Sequence, residues 1–476
     1  MERIRKLARG SIVLRFLAAI ARFLSRQWYG SAIVSRFLGE SRGFGGRSVF
    51  GRAVGVVRGA EVRAFKRLKL DRAARGGLFA TPIFWCCATV MLAPIVPTTA
   101  AIGLAGVTLF SVFLKLGSDG DFRVETAPVT KFILLYVFVT LVGTLTSVDF
   151  RGSLFGGLLL VFFALFAVLT QYAVTTRREL ERVIWLLVLG GFAVACYGGL
   201  QYVRGTTGAS AWLDSEMFAG TTRVFSTLQN PNVLAEYLLL VIPFAAAKII
   251  TAKDDLRRVC YIVALAAMLV CMALTFARGG WLGLIAAAAV FLIMLDRRFI
   301  IVGIVGLIAL YFVLPQSIIA RFTSIGNVSD GSTSYRIYIW LGTLALIRTH
   351  WLIGIGPGVA AFTRVYPLYA YSAIVAPHSH NLFLQVMCDG GVFALLGFVG
   401  ILCASFRSLA RGVRRSFDRT IRVYRIAGIA ALTGFIVQGM TDYSFYNYRV
   451  TLVFWAVVGL CAVMSRRGFD AAEGGA

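Results

Sequence analysis

A chain of 476 residues that is 58% hydrophobic and only 15% charged, with a mean hydropathy of +0.79, carries too much apolar surface for a soluble domain, which is about a quarter charged. It reads as an all-α integral membrane protein. The net charge of +26 therefore calls for a membrane rather than a nucleic acid, and a soluble enzyme and a disulfide scaffold are set aside as well.

In chain order, the first element is a basic tail. The first 78 residues hold 18 Lys/Arg against 4 Asp/Glu. Their longest apolar stretch, Ser11 to Leu24, is broken by Arg15 and Arg22, so it lacks the unbroken centre of a signal peptide. Residues 1–77 are expected in the cytoplasm, either as an amphipathic helix with Lys/Arg among anionic headgroups or as a disordered positive arm.

From Leu78 onward twelve apolar runs approach the length of about 20 residues that a bilayer core requires. They lie at roughly 78–96, 98–116, 130–148, 154–174, 182–202, 233–250, 259–277, 280–295, 299–315, 382–405, 426–441 and 450–465. The connections on the tail's side carry 21 Lys/Arg and those opposite carry nine. This bias agrees with the positive-inside rule and predicts about 12 transmembrane helices, both termini cytoplasmic, a membrane domain over 78–465 and a cytoplasmic tail over 466–476. All eight cysteines fall within apolar runs without metal-ligand spacing and are expected to be buried hydrophobes.

Two external segments are too long to be turns, about 203–232 and about 316–381. The second contains Ser334 to Leu346, an amphipathic stretch of about 13 residues, too short to span and expected to lie on the outer surface.

The chemistry-bearing residues collect on that external side. His350, His378 and His380 are the chain's three histidines, and all fall in the long loop. A neutral imidazole is a suitable general base near ambient pH; the other readings of His378 and His380 are metal ligands, capping groups or surface polar groups, and no acidic residue stands near them in sequence. Arg278 falls between two apolar runs, where an unpaired cation costs about 2.5–3.5 kcal/mol. It either binds an anion, with Gly279 and Gly280 permitting close approach, or snorkels to the interface. Arg336 opens the amphipathic loop helix beside Tyr335, Tyr338 and Trp340. Its guanidinium fork suits phosphate, and the aromatic residues either stack on sugar or anchor the helix at the interface.

In the other segment, Asn230-Pro231 reads as a helix N-cap with proline at the first position. Its amides are expected to face an anion, with Arg223 and Asn232 close by. Glu236, one turn further on, is a candidate partner for Arg278 or Arg223, or a second acid-base group. Asp214 and Glu216 have the spacing of a metal-diphosphate pair but are read as a solvated loop.

Five stretches in order, Arg223 to Asn232 with Glu236, Phe276 to Trp281, Tyr335 to Trp340, His350 to Gly358 and His380 to Gln385, resemble the O-antigen ligase and polymerase superfamily over about residues 78–465. The resemblance implies a GT-C-like, multi-spanning glycosyltransferase that takes a glycan from a polyprenyl-diphosphate-linked donor outside the cytoplasm. By the same resemblance Arg278 and Arg336 bind the diphosphate and His380 activates a hydroxyl on a glycan, lipid or glycolipid acceptor. Arg223, Asn230, Asn232, Glu236, His378, Tyr335 and Trp340 would then surround the substrate. No metal, cofactor or nucleic acid is expected, and inversion at the sugar follows from opposite-face attack. A repeat-unit polymerase of the same fold is the alternative. A bicarbonate-type secondary transporter is a third reading, disfavoured because transporters concentrate charge at mid-membrane.

Overall fold

The computed structural model describes residues 59–67, 77–119, 127–205, 223–299 and 331–466, with scattered positions between 301 and 323. The Ser11 to Leu24 stretch, Asp214, Glu216 and most of the ninth apolar run lie outside these residues. The described residues are helical, with no strand among them. The helices are α1 (Pro82–Leu92), α2 (Thr98–Ser118), α3 (Thr130–Leu145), α4 (Phe150–Ala173), α5 (Arg177–Val203), α6 (Pro231–Ile250), α7 (Asp255–Leu274), α8 (Arg278–Leu295), α9 (Gly331–His350), α10 (Val359–Val365), α11 (Leu382–Arg415), α12 (Arg419–Gly439) and α13 (Tyr448–Met464). Eight of them are long and apolar enough to cross a membrane, namely α2, α4 to α8, α11 and α12, while α1, α3 and α13 are shorter apolar helices.

The bundle is organised by burial. α6 and α13 are enclosed almost completely, α6 against α7, α8 and α12 and α13 against α4. α7 lies at the rim, and Leu256, Val259, Ile262, Val263, Leu269 and Val270 face outward on it. Such an apolar outer face suits hydrocarbon and not water. The same fact corrects the expectation for the cysteines. Cys86, Cys87, Cys271, Cys388 and Cys461 are buried, but Cys196 and Cys260 are exposed and Cys403 is half-buried. In a lipid-facing helix an apolar run marks both faces, so it does not tell inward from outward.

Several basic residues counted in the charge bias also cap helices. Arg425 is fully buried and donates from Nε to Met464 O at 2.7 Å and from Nη1 to Gly412 O at 2.9 Å. Arg466 donates to Val174 O and Gln171 O at the end of α4. Their guanidinium groups donate to carbonyls in the last turns of α4, α11 and α13 and complement the negative dipole ends there.

The long loop folds around its own small core, in which Ile339, Leu346, Ile355, Phe362 and Tyr366 pack together. Its helix α9 has 20 residues, longer than expected, because Ile347 to His350 continue the turn pattern before the Trp351 to Gly354 turn stops it. α11 is broken at Gly390 and Gly391, with φ/ψ of −141°/18° and 67°/−163°.

Candidate active site

Three helix starts meet around one cavity lined by Arg223, Asn232, Phe276 to Gly280, Ser332, Arg336, Gln438, Thr441 and Asp442. Asn232 is in the first turn of α6, Arg278 is the first residue of α8, and Arg336 lies near the start of α9. Each start brings the positive end of a helix dipole, worth about half a charge, beside a guanidinium. Close approach requires glycine here. A Cβ on Gly279 would meet Thr441 Oγ1 at 2.6 Å, and one on Gly280 would meet Ala235 Cβ at 2.6 Å.

The arginines are aimed by specific contacts. Arg223 donates from Nε to Thr275 O at 2.9 Å and from Nη2 to Asn232 Oδ1 at 3.0 Å, bridging the end of α7 and the start of α6. Arg278 is buried, with 9% of its surface exposed, and follows Phe276, whose φ of 50° is in the left-handed region. Arg336 donates from Nη1 to Ser332 Oγ at 3.1 Å, while its buried Nε has no hydrogen-bond partner. The cavity thus gathers three of the predicted arginines.

The histidines reach it through a residue that sequence reasoning missed. His380 Nδ1 lies 3.2 Å from Asp442 Oδ1, and Asp442 is a wall of the cavity. Asp442 is buried, which alone would raise its pKa. The hydrogen bond from His380 and the charges of His380, Arg336 and His378 outweigh this and hold the carboxyl well below the usual carboxylate range. An ionised carboxylate only accepts, so His380 Nδ1 is the donor of this pair and Nε2 is the nitrogen turned away from it. Asn381 makes the pairing local. It caps α11 by accepting from Phe383 N and Leu384 N, and its Nδ2 donates to Met440 O at 2.7 Å, two residues before Asp442.

His380 has a φ of 48°, a conformation rare for a residue with a side chain. It is held there from several sides. Its backbone N donates to His378 Nδ1 at 3.3 Å, its carbonyl accepts from Trp340 Nε1 at 3.2 Å, and the Tyr335 ring meets its ring edge-on at 5.9 Å between centroids. His378 is buried and stacked on Tyr446 at 4.9 Å. Burial and the neighbouring charge of His380 push its pKa down to about 3, with Arg336 adding to the shift and Asp442 opposing it. His378 is therefore neutral at working pH and acts as an acceptor.

Other expectations require correction. The amides at the start of α6 are not free for an anion, since Asn230 Oδ1 accepts from Asn232 N at 2.8 Å and from Val233 N at 3.5 Å, while Asn230 Nδ2 donates to Tyr446 Oη. Glu236 pairs with neither Arg223 nor Arg278; it has no exposed surface and neither carboxylate oxygen has a hydrogen-bond partner. It shares the Asn232 face of α6 but is buried and does not line the cavity. Trp340 and Tyr335 brace the histidine loop, and Tyr338 stacks on Tyr371 at 5.5 Å. His350 stays apart, near Thr349 and Tyr369. An acid does stand beside the close histidines. The ligand atoms of His378, His380 and Asp442 lie within 4.8 Å of one another, a set able by type to hold a metal, although His378 Nδ1 is already engaged by the His380 amide.

Residues 263–399 match the family model described as O-antigen ligase. The match covers under a third of the chain, and over that stretch the protein is similar to the O-antigen ligase family. The matched stretch contains Arg278, Arg336, His378 and His380 but leaves out Arg223, Asn232 and Asp442, which complete the cavity from α6 and from the connection before α13. No curated protein matches the chain. This similarity and the eight long apolar helices suggest a multi-pass membrane enzyme that processes glycans, and they give the transporter reading no support.

Proposed function

We propose that the protein transfers a glycan from a polyprenyl-diphosphate-linked donor to a hydroxyl on a glycan, lipid or glycolipid acceptor, at the extracytoplasmic face of the cell membrane, as a metal-independent inverting ligase. The observation that carries this reading is the single cavity in which Arg223, Arg278 and Arg336 stand beside the Asp442 carboxylate that orients His380. Three guanidinium groups gathered at one cavity suit a doubly charged diphosphate. The proposed frame is GT-C-like, with about 12 spans over residues 78–465, a cytoplasmic basic tail over 1–77 and both termini cytoplasmic. The long loop and the starts of α6, α8 and α11 then share the outer side.

In the proposed reaction the acceptor hydroxyl gives its proton to His380 Nε2 as its oxygen attacks the anomeric carbon. The bond from that carbon to the diphosphate oxygen breaks, and its electron pair leaves with the diphosphate. Charge grows on the leaving group, where Arg278 and Arg336 provide preorganised stabilisation, and Arg223, fixed by Thr275 and Asn232, adds a third guanidinium. The imidazolium formed on His380 is stabilised by Asp442, which remains ionised throughout. Attack from the face opposite the diphosphate inverts the sugar.

The test is transfer in vitro from a synthetic polyprenyl-diphosphate sugar, with lipid, glycan and peptide acceptors offered separately. Release of polyprenyl diphosphate coupled to glycosylation of a lipid or glycan, lost in His380→Ala, is the expected result. Transfer to peptide alone, or undiminished transfer in His380→Ala, would overturn the reading.

A further inference from the structure

The catalytic loop, the break in α11 and the glycine-rich turn after α9 are far apart in sequence, yet they are joined by one run of hydrogen bonds. Ser379, between the two close histidines, has a fully buried side chain and donates its backbone N–H to Gln385 Oε1 at 2.7 Å. Gln385, itself buried, donates from Nε2 to Asp389 Oδ1 at 2.8 Å. An amide side chain is a donor at one atom and an acceptor at the other, and these two partners fix which is which. Asp389 stands where α11 breaks. The break frees carbonyls that a continuous helix would have used, and the turn takes them: Ile355 N donates to Cys388 O at 2.7 Å and Gly356 N to Asp389 O at 3.2 Å. Val392 N beyond the break donates to Trp351 O at 2.8 Å. A Cβ on Gly391 would meet Leu352 O at 2.2 Å, and Gly391 has a φ of +67°, so no other residue fits there.

We infer that Gln385 and Asp389 are positioning residues, which hold the His378 to His380 loop at the cavity by tying the Ser379 amide to the broken segment of α11. The inference deepens the reading of His380 as the base and rests on it for its meaning in the reaction. Neither residue lines the cavity or meets substrate. They act through Ser379, the one amide between His378 and His380, so that His380 keeps its left-handed backbone and its contact with Asp442. Trp340 and Asn381 hold the same loop after His380, and Gln385 holds it before. Without the Gln385 acceptor the buried Ser379 N–H loses its partner, and a buried donor without a partner favours any conformation that reaches water.

The chain has only three histidines, so modification by diethyl pyrocarbonate, followed by mass spectrometry of the full-length protein in nanodiscs, reads each of them separately. In the wild type His350 and His380 should react, and buried His378 should be protected. In Gln385→Ala the His378 rate should rise about tenfold, the size expected for losing one buried hydrogen bond to a locally opening segment, with His350 unchanged and the melting temperature little altered. Asp389→Asn keeps an oxygen that accepts from Gln385 and should behave as wild type, while Asp389→Ala should expose His378. This second pair carries the test should Gln385→Ala not fold. Protection of His378 in both Gln385→Ala and Asp389→Ala, or equal acceleration at His350, would overturn the inference. Transfer measured on the same samples should show a lower kcat with the donor KM unchanged. Exposed His378 with undiminished kcat would uphold the relay as a brace of the loop and overturn His380 as the base.

Discussion

Asp442→Asn tests the pairing on which the proposed chemistry depends. Oδ1 of Asp442 accepts from His380 Nδ1 at 3.2 Å and from Tyr443 N at 2.8 Å. Asparagine retains an oxygen for both donors, so the connection between α12 and α13 keeps its shape while the negative charge is removed. A hydrogen bond to a charged group contributes about 1.5–3 kcal/mol, and that difference bears on the imidazolium formed during transfer and not on the resting imidazole. The expected loss in kcat is therefore roughly 10- to 150-fold, with little change in the donor KM. The pH dependence adds a second check. Asp442 is held well below the usual carboxylate range and is ionised from mildly acid to alkaline pH, so the carboxylate itself contributes no titration step to the profile in that window. His378, lowered to about 3, contributes no step there either. His380→Ala should cost about 10² to 10⁴, and adding Asp442→Asn to it should cost almost nothing more, because groups acting through one another are not additive. Transfer by Asp442→Asn at the wild-type rate, or a double variant that loses the sum of both single effects, would refute the dyad.

The other predictions concern the anion, the second histidine, metals and topology. Arg278→Lys and Arg336→Lys each keep a charge and lose the planar fork, and each should lower transfer tenfold or more, about 1.4 kcal/mol, at normal expression; wild-type rates in both would remove them from diphosphate binding. His378→Ala should cost less than about tenfold, since a base contributes more than this, and the larger deficit of His380→Ala should shrink as pH rises and the acceptor ionises unaided; equal, pH-independent losses would exclude both from proton transfer. Transfer should persist in EDTA, whereas activity regained only with Mn²⁺ or Mg²⁺ would turn the His378, His380 and Asp442 group into a metal centre. Leu368→Cys and Phe417→Cys, at positions 82% and 92% exposed, should react with an impermeant thiol reagent from outside and only after permeabilisation, respectively, and outside labelling of Phe417→Cys would overturn the orientation.

What the sequence discloses follows the range of the interaction concerned. The Asn230-Pro231 cap is local, and Asn230 does cap α6. The helices are legible because a bilayer demands long apolar runs, and eleven of the twelve coincide with helices in the described residues. Arg278 stands out because a cation among apolar residues is costly wherever it points. Asp442 is invisible for the opposite reason: an acid in a short polar connection is unremarkable, and only packing places it 62 positions along the chain from His380. Glu236 was misjudged because helical spacing gives its face, shared with Asn232, but not its neighbours. The bond from Trp340 to the His380 carbonyl is equally hidden, because an aromatic at an interface and an aromatic donating to a backbone carbonyl read alike in the sequence.

Helix direction explains why the site forms at one end of the bundle. α6 and α8 are separated by the single helix α7 and run the same way, so both begin on one side. α11 and α13, separated by α12, begin beside the same cluster, with Asn381 and Asn447 as caps. In a bundle of hairpins alternate helices begin on the same face, with the C-terminal ends of α7 and α12 between the starts of α6, α8 and α13, and at the cavity it is the N-terminal ends, which favour anions, that carry the guanidinium groups. Asn230 spends the amides of α6 on its own cap, which moves the task of binding charge from backbone to guanidinium groups. Those side chains need fixed supports, and three left-handed residues, Gln229, Phe276 and His380, stand at the turns that deliver Asn230, Arg278 and the base. Such conformations cost about 1–3 kcal/mol each and persist where surrounding packing imposes them. At His380 the contacts that impose this conformation come from Trp340 and Tyr335 on α9 and from Asp442 in the connection between α12 and α13, so elements far apart in sequence hold in place the residue assigned to proton transfer.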